Sequence, residues 1–260
     1  MTDSRAASKS RRRLLGGLLA AGGTALLAGC EKLNESPGFR ALLAKADGPT
    51  ERALDLLTPD DALAEEFSPA QISRVFKANG SVDPRTPEYL ALKANGFADY
   101  RLRIHGRVRN ELALSLAELR ARPARTQITR HDCVEGWSCI GKWTGAPLGA
   151  LLAQAQPEPD ARFVVFHCAD SLDNNELRYY ESCHLREAFH AQTILAYALN
   201  DAPLDVAHGA PIRVRLERKL GYKHAKYVLA IELVDRLDRI GMGQGGYWED
   251  HHGYGWHAGI

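Results

Sequence analysis

The chain has 260 residues, of which 45% are hydrophobic and 25% are charged, a size and composition typical of one or two soluble globular domains. Its 33 basic residues nearly balance 32 acidic ones, and the net charge of +1 argues against nucleic acid as a partner. The 23 glycines and 12 prolines exclude collagen-like and wholly disordered classes, and five cysteines are too few for a disulfide scaffold of this length.

The first 29 residues have the layout of an export signal. Three consecutive arginines, Arg11 to Arg13, precede an uncharged segment, residues 14–29, that is rich in Leu, Ala and Gly and too short to remain as a stable anchor. The run Ser10–Leu15 resembles the twin-arginine signal, and a chance arginine cluster in a Sec signal is the alternative. Without this segment the chain would carry 28 basic and 31 acidic residues, so its slight basicity lies in the signal.

The end of this segment, Leu27-Ala28-Gly29-Cys30, resembles a bacterial lipobox, in which Cys30 would be acylated and become the N-terminus. A plain signal peptide with a small-residue cleavage site is the alternative. The twin-arginine route carries folded proteins, often already loaded with a cofactor. We therefore expect a periplasmic protein whose membrane contact is only a lipid on Cys30.

The rest of the chain divides into three predicted parts. Residues 30–69 are predicted as a tether and helical lead-in, because short helical patterns occur at Ala62–Phe67 and, just beyond, at Ala70–Phe76. Residues 70–240 are predicted as the main folded domain. Residues 241–260 form a tail rich in Gly, His and aromatic residues.

Periodicity predicts both strands and helices in the main domain. The predicted strands are Tyr100–Gly106, Thr126–Asp132, Phe163–Phe166, Pro211–Leu216 and Tyr227–Leu233. The predicted helices are Ser115–Leu119, with Ser115 as N-cap, Pro147–Ala155 and Ala188–Leu199. These elements alternate without a regular βαβ rhythm and show no internal repeat, which favours the α+β class.

Four cysteines follow Cys30, and the residues leave more than one interpretation of them. They are Cys133, Cys139, Cys168 and Cys183. In an oxidising compartment they would form two disulfides, with three pairings open. A zinc site built from His131, Cys133, Cys139 and His167 is a second interpretation, although the C-x5-C spacing is not typical. Neither explains why Cys133 follows a predicted strand among polar residues, where a thiol can act as ligand or nucleophile.

A concentrated basic run lies between Arg213 and Lys226. It holds six basic residues and His224, with Glu217 as its only acid. Its last part, Gly221–Lys226, is a glycine-containing turn after a predicted strand, and such turns present N–H groups and cations to a phosphate. A solvated strand face with salt bridges is the alternative. The chain contains neither G-x-x-x-x-G-K-[ST] nor G-x-G-x-x-G, which argues against a nucleoside triphosphate or a dinucleotide.

Five segments form an ordered set of motifs. They are His131–Ser138, Lys142–Leu148, Leu195–Asn200, His208–Arg213 and Gly221–Lys226. In this order and spacing they resemble the sulfite-oxidase-fold family of molybdopterin oxidoreductases over about residues 70–235. The motif Cys-Val-Glu-Gly-Trp-Ser at 133–138 is nearer to the periplasmic methionine sulfoxide reductase catalytic subunits than to the sulfite oxidases. The resemblance implies the α+β fold of that family, with residues 70–240 as a molybdopterin-binding oxidoreductase domain.

The resemblance also implies roles for individual residues. Cys133 would be the catalytic thiolate that binds molybdenum beside the pterin dithiolene. Tyr179, with Tyr180 as its alternative, matches the active-site tyrosine of the sulfite oxidases. The residues implied to contact the cofactor are Asn79, Cys168, His208, Arg213, His224, Ala225 and Lys226. Of these, Arg213, His224 and Lys226 would hold the terminal phosphate of the pterin.

Two departures from the sulfite oxidases bear on the substrate. Ala78 stands where those enzymes have one substrate-binding arginine. They have a second arginine soon after the metal-binding cysteine, and the corresponding residues here, 135–142, contain none. Because a small dianion needs charge-assisted partners, we expect poor binding of sulfite. We therefore expect oxygen-atom transfer on another small substrate, with sulfoxide reduction first and sulfite-type oxidation as the alternative. Two rivals come from other classes: a zinc hydrolase and a non-enzymatic, disulfide-bonded envelope binding protein.

Partners and the tail complete the prediction. We expect no haem in this chain, so that electrons come from a separate carrier, either a membrane haem protein or a cytochrome c. The tail's aromatic residues are expected to pack over the mouth of the pocket, with its histidines in solvent. A second metal site in the tail is the alternative.

Overall fold

The computed structural model of the chain describes residues 58–172 and 177–260, together with Ser36, Gly38, Phe39 and Gly48. The chain divides into two units, Met1–Leu56 and Leu57–Ile260, and the fold below is that of the second. The predicted export signal, Cys30 and most of the predicted tether lie outside the described residues. Across the residues that are described, no helix combines the length and apolar character needed to cross a membrane.

Ten strands form two sheets of five strands each in the described part of the chain. The first sheet has the order β2-β1-β10-β5-β6. Its strands are β1 (Arg101–Gly106), β2 (Leu112–Ser115), β5 (Phe163–Ser171), β6 (Arg178–His184) and β10 (Val228–Val234). Within it only β1 and β10 run parallel.

The second sheet is antiparallel and has the order β3-β4-β7-β8, with β9 also paired to β7. Its strands are β3 (Arg125–Cys133), β4 (Trp137–Pro147), β7 (Ile194–Leu199), β8 (Ala202–Pro203) and β9 (Arg213–Arg215). The helices of the unit are α1 (Pro87–Ala94), α2 (Leu116–Arg120), α3 (Leu148–Ala155), α4 (Leu185–Ala188) and α5 (Tyr247–His252). Mixed sheets with flanking helices confirm the predicted α+β class.

Several local predictions are confirmed, and each has an identifiable cause. The α2 helix begins at the predicted cap, where the Ser115 side chain accepts from the Glu118 N–H and the Glu118 carboxylate accepts from the Ser115 N–H. Residues of β1 alternate between buried and exposed, as a strand with one face on the core requires. The α3 helix buries Leu148, Leu151 and Leu152 on one side.

The predicted helix Ala188–Leu199 is wrong. A short helix, α4, ends at Ala188, and the segment that follows becomes strand β7. Ile194 pairs with Pro147 of β4 on one side and with Arg215 of β9 on the other. Because β7 is interior to the sheet and its first residues are fully buried, pairing on both edges overrides the helical preference of its Leu and Ala residues.

The predicted helical lead-in is also wrong over the residues that are described. The segments Ala62–Phe67 and Ala70–Phe76 contain a single 3-10 turn, Pro69–Gln71, and are otherwise extended. The Phe67 N–H donates to the Ile128 carbonyl of β3 at 2.8 Å. The Ser73 N–H donates to the Ile140 carbonyl of β4 at 3.0 Å. The lead-in therefore follows the second sheet by backbone hydrogen bonds, which a helix could not offer.

We expect the core to tolerate truncation poorly at Leu151, which is fully buried in α3. Leu151→Ala should lower the free energy of unfolding by about 2–5 kcal/mol, since it leaves a cavity in a packed cluster. Gln154→Ala, on the exposed side of the same helix, is the matched control and should change it by less than about 0.5 kcal/mol. Urea denaturation monitored by circular dichroism measures both, and equal midpoints would contradict the assignment of the buried face.

Candidate functional site

A cavity of about 200 Å³ opens where segments from distant parts of the chain meet. Five of the predicted site residues line it: Asn79, Cys133, Tyr179, His224 and Lys226. They come from the segment before α1, the end of β3, the start of β6 and the turn before β10. The fold therefore gathers most of the predicted set around one space.

Cys133 is presented to the cavity by a tight hairpin. It is the last residue of β3 and pairs with Trp137, the first residue of β4. The turn between them is closed by the Gly136 N–H, which donates to the Cys133 carbonyl at 3.0 Å. Gly136 has φ of 83°, a conformation that glycine adopts without strain. The hairpin thus fixes the position of the thiol.

The cysteine interpretations can now be separated. Cys133, Cys139, Cys168 and Cys183 are all free thiols, so no disulfide joins the cysteines that the structure describes. In the same residues no group of three or more His, Cys, Asp or Glu side chains is arranged to hold a metal ion. Neither the zinc interpretation nor the second metal site in the tail is supported.

Burial raises the pKa of the Cys133 thiol above its ordinary value. The free thiol is therefore protonated at neutral pH, and a bound metal would be needed to keep it as a thiolate. Because the chain supplies this thiol without a cluster of further ligands in the described part, the remaining ligands would have to come from a cofactor. A dithiolene fits that requirement.

The basic run does not form a solvated strand face. Arg213, Arg215, Lys219, Lys223 and Lys226 are all buried. Three of these cations meet carboxylates at hydrogen-bonding distance: Arg215 with Glu217 at 2.6 Å, Lys219 with Glu187 at 2.6 Å, and Lys223 with both Glu181 at 2.5 Å and Glu249 at 2.8 Å. Most of these acids come from elsewhere in the chain, so the sequence of the run alone does not reveal them.

Arg213 is buried without a carboxylate partner in the described structure. Its Nη1 donates to the His208 carbonyl at 3.2 Å, and its Nη2 donates to the His224 carbonyl at 3.3 Å. Its Nε has no partner. Burial, reinforced by the neighbouring Arg215, lowers the pKa of Arg213 to about 9. The Arg213 guanidinium therefore has no hydrogen-bonded anion among the described residues.

Lys226 has the same character. Its Nζ donates to the carbonyls of Asn79 at 2.6 Å and Ala207 at 2.9 Å, and to that of Ser81. Burial, together with the positive charge of Arg213, lowers its pKa below the usual range. The two cations are adjacent, since Arg213 and Lys226 form an isolated β-bridge. The wall beside the cavity therefore carries two buried positive charges without a hydrogen-bonded counter-charge.

Unpartnered polar atoms cluster on the same wall. His224 donates through Nε2 to the Lys219 carbonyl at 3.0 Å, and its buried Nδ1 has no partner. The buried Asn79 Oδ1 and His131 Nε2 also lack partners among the described residues. A Cβ at Gly221 would lie 2.6 Å from His131 Nε2, so glycine is required for this close approach. Buried polar atoms are normally satisfied. Because Asn79 Oδ1 and the unprotonated His224 Nδ1 accept hydrogen bonds, this set fits a polar ligand that brings hydrogen-bond donors as well as the anion that Arg213 lacks.

The structure separates Tyr179 from Tyr180. Neighbouring residues of a strand point to opposite faces: Tyr179 lines the cavity, whereas the Tyr180 hydroxyl bonds the Asp250 carboxylate in the tail. The Tyr179 hydroxyl donates to the Tyr222 carbonyl at 2.6 Å. The position at the cavity is thus that of Tyr179, the residue preferred from the sequence.

Four predicted residues do not line the cavity. Arg213 stands directly behind His224, and Ala225 is buried with its carbonyl accepting from the Val214 N–H. His208 Nε2 lies 2.9 Å from the Phe76 carbonyl oxygen, and its Nδ1 lies 2.7 Å from the Asp205 carboxylate. Cys168 is 2% exposed in the main core, opposite Val228. The lining role predicted for Cys168 therefore does not agree with its place in the structure.

Among the lining residues that sequence reasoning missed, Asp170 is an acid. Asp170 is 3% exposed, and its Oδ1 has no hydrogen-bond partner. Burial raises its pKa to about 7, against the lowering effect of Lys226 and Arg178. The only sequence signal was an acidic residue four positions after the predicted strand Phe163–Phe166, and the structure places Asp170 within β5.

The tail lies at the cavity as predicted. Trp248 and Tyr254 line it, with their rings stacked at 5.4 Å between centroids and 20° between planes. His251 and His252 are exposed. The aromatic residues of the tail thus form part of the cavity wall.

Comparison with known proteins decides the family. Residues 89–239 match the model of the oxidoreductase molybdopterin binding domain. The chain belongs to this family. It is therefore a molybdopterin-binding oxidoreductase. Asn79 and the tail lie outside the matched residues, yet both line the cavity.

The relatives differ in how much of their length the chain covers. A protein of Azospira oryzae, provisionally named as protein-methionine-sulfoxide reductase subunit YedZ1, is 36% identical over 251 residues, 96% of this chain and 88% of that protein. The protein-methionine-sulfoxide reductase catalytic subunit MsrP of Xanthomonas campestris pv. campestris is 33% identical over 162 residues, 59% of this chain. The chain spans half the length of that MsrP. A crystal structure of the sulfane dehydrogenase SoxCD from Paracoccus pantotrophus aligns with a TM-score of 0.49 and 24% identity over 54% of this chain and 39% of that chain.

We predict opposite effects of Arg213→Met on cofactor content and on the apoprotein. The variant should purify with at least about tenfold less molybdopterin, because it removes a buried cation that has no anion of its own. The free energy of unfolding of the apoprotein should stay equal or rise, since a buried unpaired charge is unfavourable. Pterin fluorescence and urea unfolding measure the two quantities. Arg103→Met, an exposed position on β1, is the control, and equal pterin content in both variants would contradict the assignment.

We predict that Lys223 is needed for folding rather than for the cofactor. Lys223→Met leaves Glu181 and Glu249 buried without a cation and should lower the free energy of unfolding by about 3–5 kcal/mol. Burial already raises the pKa of Glu181 to about 8, so protonation should make the loss smaller at pH 5 than at pH 8. Lys93→Met, which breaks an exposed ion pair with Asp83, should change it by less than about 1 kcal/mol.

The triple variant Lys223→Met, Glu181→Gln, Glu249→Gln is the rescue for that experiment. It removes all three charges and should recover most of the lost stability. A triple variant as unstable as the single one at both pH values would contradict the electrostatic explanation.

Proposed function

We propose that this molybdopterin-binding oxidoreductase uses molybdenum to reduce sulfoxides, with methionine sulfoxide in proteins or peptides as the substrate class. The observation that carries the proposal is one cavity that joins a single protein thiol, Cys133, to buried cations without an anion of their own. The names of the Azospira and Xanthomonas relatives, both protein-methionine-sulfoxide reductase subunits, support the choice of substrate.

The charges around Cys133 favour a neutral substrate over sulfite. Glu135, two residues from Cys133, lines the cavity. The ammonium of Lys77 lies 3.6 Å from the Glu135 carboxylate, so that cation already has a partner. Lys226 and Arg213, the buried cations without an anion, are the residues proposed to hold the phosphate of the cofactor. A dianionic substrate would therefore meet the Glu135 carboxylate without a cation of its own, which is unfavourable, whereas a sulfoxide brings only a dipole.

The mouth of the cavity suits a thioether side chain. Val134 and Leu172 provide aliphatic surface, and Trp248 and Tyr254 provide stacked rings. Aromatic rings make favourable contacts with the sulfur of methionine.

The residues that would hold the cofactor follow from the site. Cys133 Sγ would bind the molybdenum, and Arg213, His224 and Lys226 would hold the phosphate end, with Asn79 against the pterin. When bound, the cofactor supplies two-electron chemistry coupled to oxygen-atom transfer. The protein binds the substrate at the aromatic mouth, orients it towards Cys133 and keeps the buried charges in place.

We also propose export by the twin-arginine route to the periplasm, a lipid on Cys30, and a separate electron carrier, either a membrane haem protein or a cytochrome c, with no haem in this chain. The arginine and lipobox motifs support the first two statements. The word subunit in the names of both relatives supports the third.

Mass spectrometry of the membrane-bound form should show a diacylated N-terminal Cys30, and an unmodified Cys30 or another cleavage site would refute the lipid anchor.

The function is tested on natively produced holoenzyme. With a reduced viologen as electron donor, it should reduce a peptide that contains methionine sulfoxide, and it should carry about one molybdenum per chain. Oxidation of sulfite with ferricyanide as acceptor should be at least about 100-fold slower. The reverse preference would support the sulfite-oxidising alternative, and zinc in place of molybdenum would support a hydrolase.

We predict that two nearby cysteines respond differently to the same change. Cys133→Ser should lower sulfoxide reduction by more than the about 10–100-fold typical of changes around a metal ligand. Cys139→Ser should keep at least half of the activity, because Cys139 is not among the residues that line the cavity and its sulfur hydrogen-bonds to the Val75 carbonyl and the Lys77 N–H. Both proteins should show the same molar ellipticity. Full turnover by Cys133→Ser with molybdenum bound would end the assignment.

A further inference from the structure

Asp170 is a buried acid in the wall of the cavity, and none of the roles assigned above to the lining residues accounts for it. Its carboxyl group lies in the wall, 3% exposed, and Oδ1 has no partner among the described residues. A buried carboxylate normally accepts hydrogen bonds or pairs with a cation, because leaving it unpaired is unfavourable. A protonated carboxyl at this place would instead have a hydrogen to donate into the cavity.

The neighbouring cations leave Asp170 free. Lys226 directs its Nζ to three backbone carbonyls. Arg178 directs Nη1 to the Ala169 carbonyl at 2.8 Å and Nη2 to Glu88 at 3.4 Å. Asp170 therefore has no hydrogen-bonded cation partner among the described residues, although the charges of Lys226 and Arg178 lower its pKa.

The other protic groups of the cavity have different tasks. The Tyr179 hydroxyl donates to the Tyr222 carbonyl, and burial raises its pKa well above the ordinary value. His224 donates its Nε2 hydrogen to the Lys219 carbonyl, and burial keeps the pKa of His224 well below the ordinary value. Cys133 is the proposed metal ligand. Burial and the charge of Arg213 lower the pKa of Lys226 to about 7, but its Nζ donates to three backbone carbonyls. Among the lining residues described, Asp170 is therefore the group that combines an unpartnered oxygen with a pKa near neutrality.

We propose that Asp170 is the proton donor to the sulfoxide oxygen, an inference that rests on the proposed sulfoxide reduction. One sulfoxide, the carboxylic acid form of Asp170, one further proton and two electrons give one thioether, one water and the carboxylate of Asp170. The sulfur–oxygen bond breaks, sulfur is reduced by the two electrons that the cofactor receives from its electron carrier, and the oxygen leaves as water. One proton comes from Asp170 and one from solvent, and the carboxylate is then reprotonated from solvent.

The groups that act on Asp170 set the expected pH range. They are Arg178 and Tyr179 on β6, Lys226 and Tyr227 before β10, Tyr89 on α1 and Cys168 on β5. The tyrosines and the thiol stay protonated at neutral pH because burial raises the pKa of each. Lys226 and Arg178 lower the pKa of Asp170, and burial, the larger effect, raises it to about 7. The acid form should therefore be lost as the pH rises through 7.

The test compares holoenzymes of the wild type, Asp170→Asn and Asp170→Glu. With a methionine sulfoxide peptide, wild-type kcat should fall above about pH 7. Asp170→Asn should lower kcat by about 10²–10⁴-fold, the contribution typical of a positioned acid, and should lose this pH limb while KM changes by less than about threefold. Asp170→Glu should recover part of the rate together with the limb. Asp99→Asn, at an exposed position, should behave as the wild type.

A readout independent of turnover accompanies the kinetics. Infrared difference spectra of the holoenzyme between pH 6 and pH 8 should show the loss of a protonated carboxyl band in the wild type. The band should be missing in Asp170→Asn. Molybdenum and pterin contents should equal those of the wild type in all variants.

The outcomes distinguish the inference from the function. An unchanged pH limb in Asp170→Asn, or an Asn variant that has lost its cofactor, would overturn the proton-donor role. A loaded wild type that oxidises sulfite and reduces no sulfoxide would overturn the proposed function and this role with it. The loss of rate and of the pH limb at full cofactor content would establish both.

Discussion

Two positive charges buried without a counter-charge organise the structure around the cavity. Arg213 and Lys226 are each less than a tenth exposed and donate only to backbone carbonyls. Taking a cation out of water is unfavourable by several kcal/mol unless an anion replaces the water. The apoprotein therefore holds two buried cations that have no hydrogen-bonded anion among the described residues. The free energy of folding of the apoprotein includes the unfavourable burial of these two cations, and binding of an anion would recover part of it.

The unneutralised charge is confined to Arg213 and Lys226, because the other buried cations of the basic run have carboxylate partners. Lys223 lies only three residues from Lys226, yet it is neutralised by Glu181 of β6 and Glu249 of α5. This ion cluster also anchors the tail, since Glu249 is in the same helix as Trp248. Trp256 adds a second attachment by donating to the Ser182 hydroxyl at 2.8 Å. The aromatic wall of the cavity therefore depends on the same charges that keep Lys223 away from the cofactor.

The sequence predicts elements well where one local pattern decides the conformation. Alternation fixes β1, and the Ser115 cap fixes the start of α2. It fails where the decision is tertiary: β7 has a helical composition but is paired on both edges, and the lead-in is held extended by the second sheet. The site divides in the same way. Motif order places Cys133, but no local pattern distinguishes Lys223, which is neutralised, from Lys226, which is not.

Asp170 was invisible for a related reason, because its chemistry depends on burial beside a cavity that only the assembled fold creates. Its environment also links the two ends of the site. Lys226 is the charge that most lowers the pKa of Asp170, and an anionic phosphate bound at Lys226 would cancel part of that field. The pKa of Asp170 would then rise, so the alkaline limb of kcat in the holoenzyme should lie at or somewhat above pH 7. Binding of the cofactor thereby favours the acid form of Asp170 in the same protein that holds the electrons for the reaction.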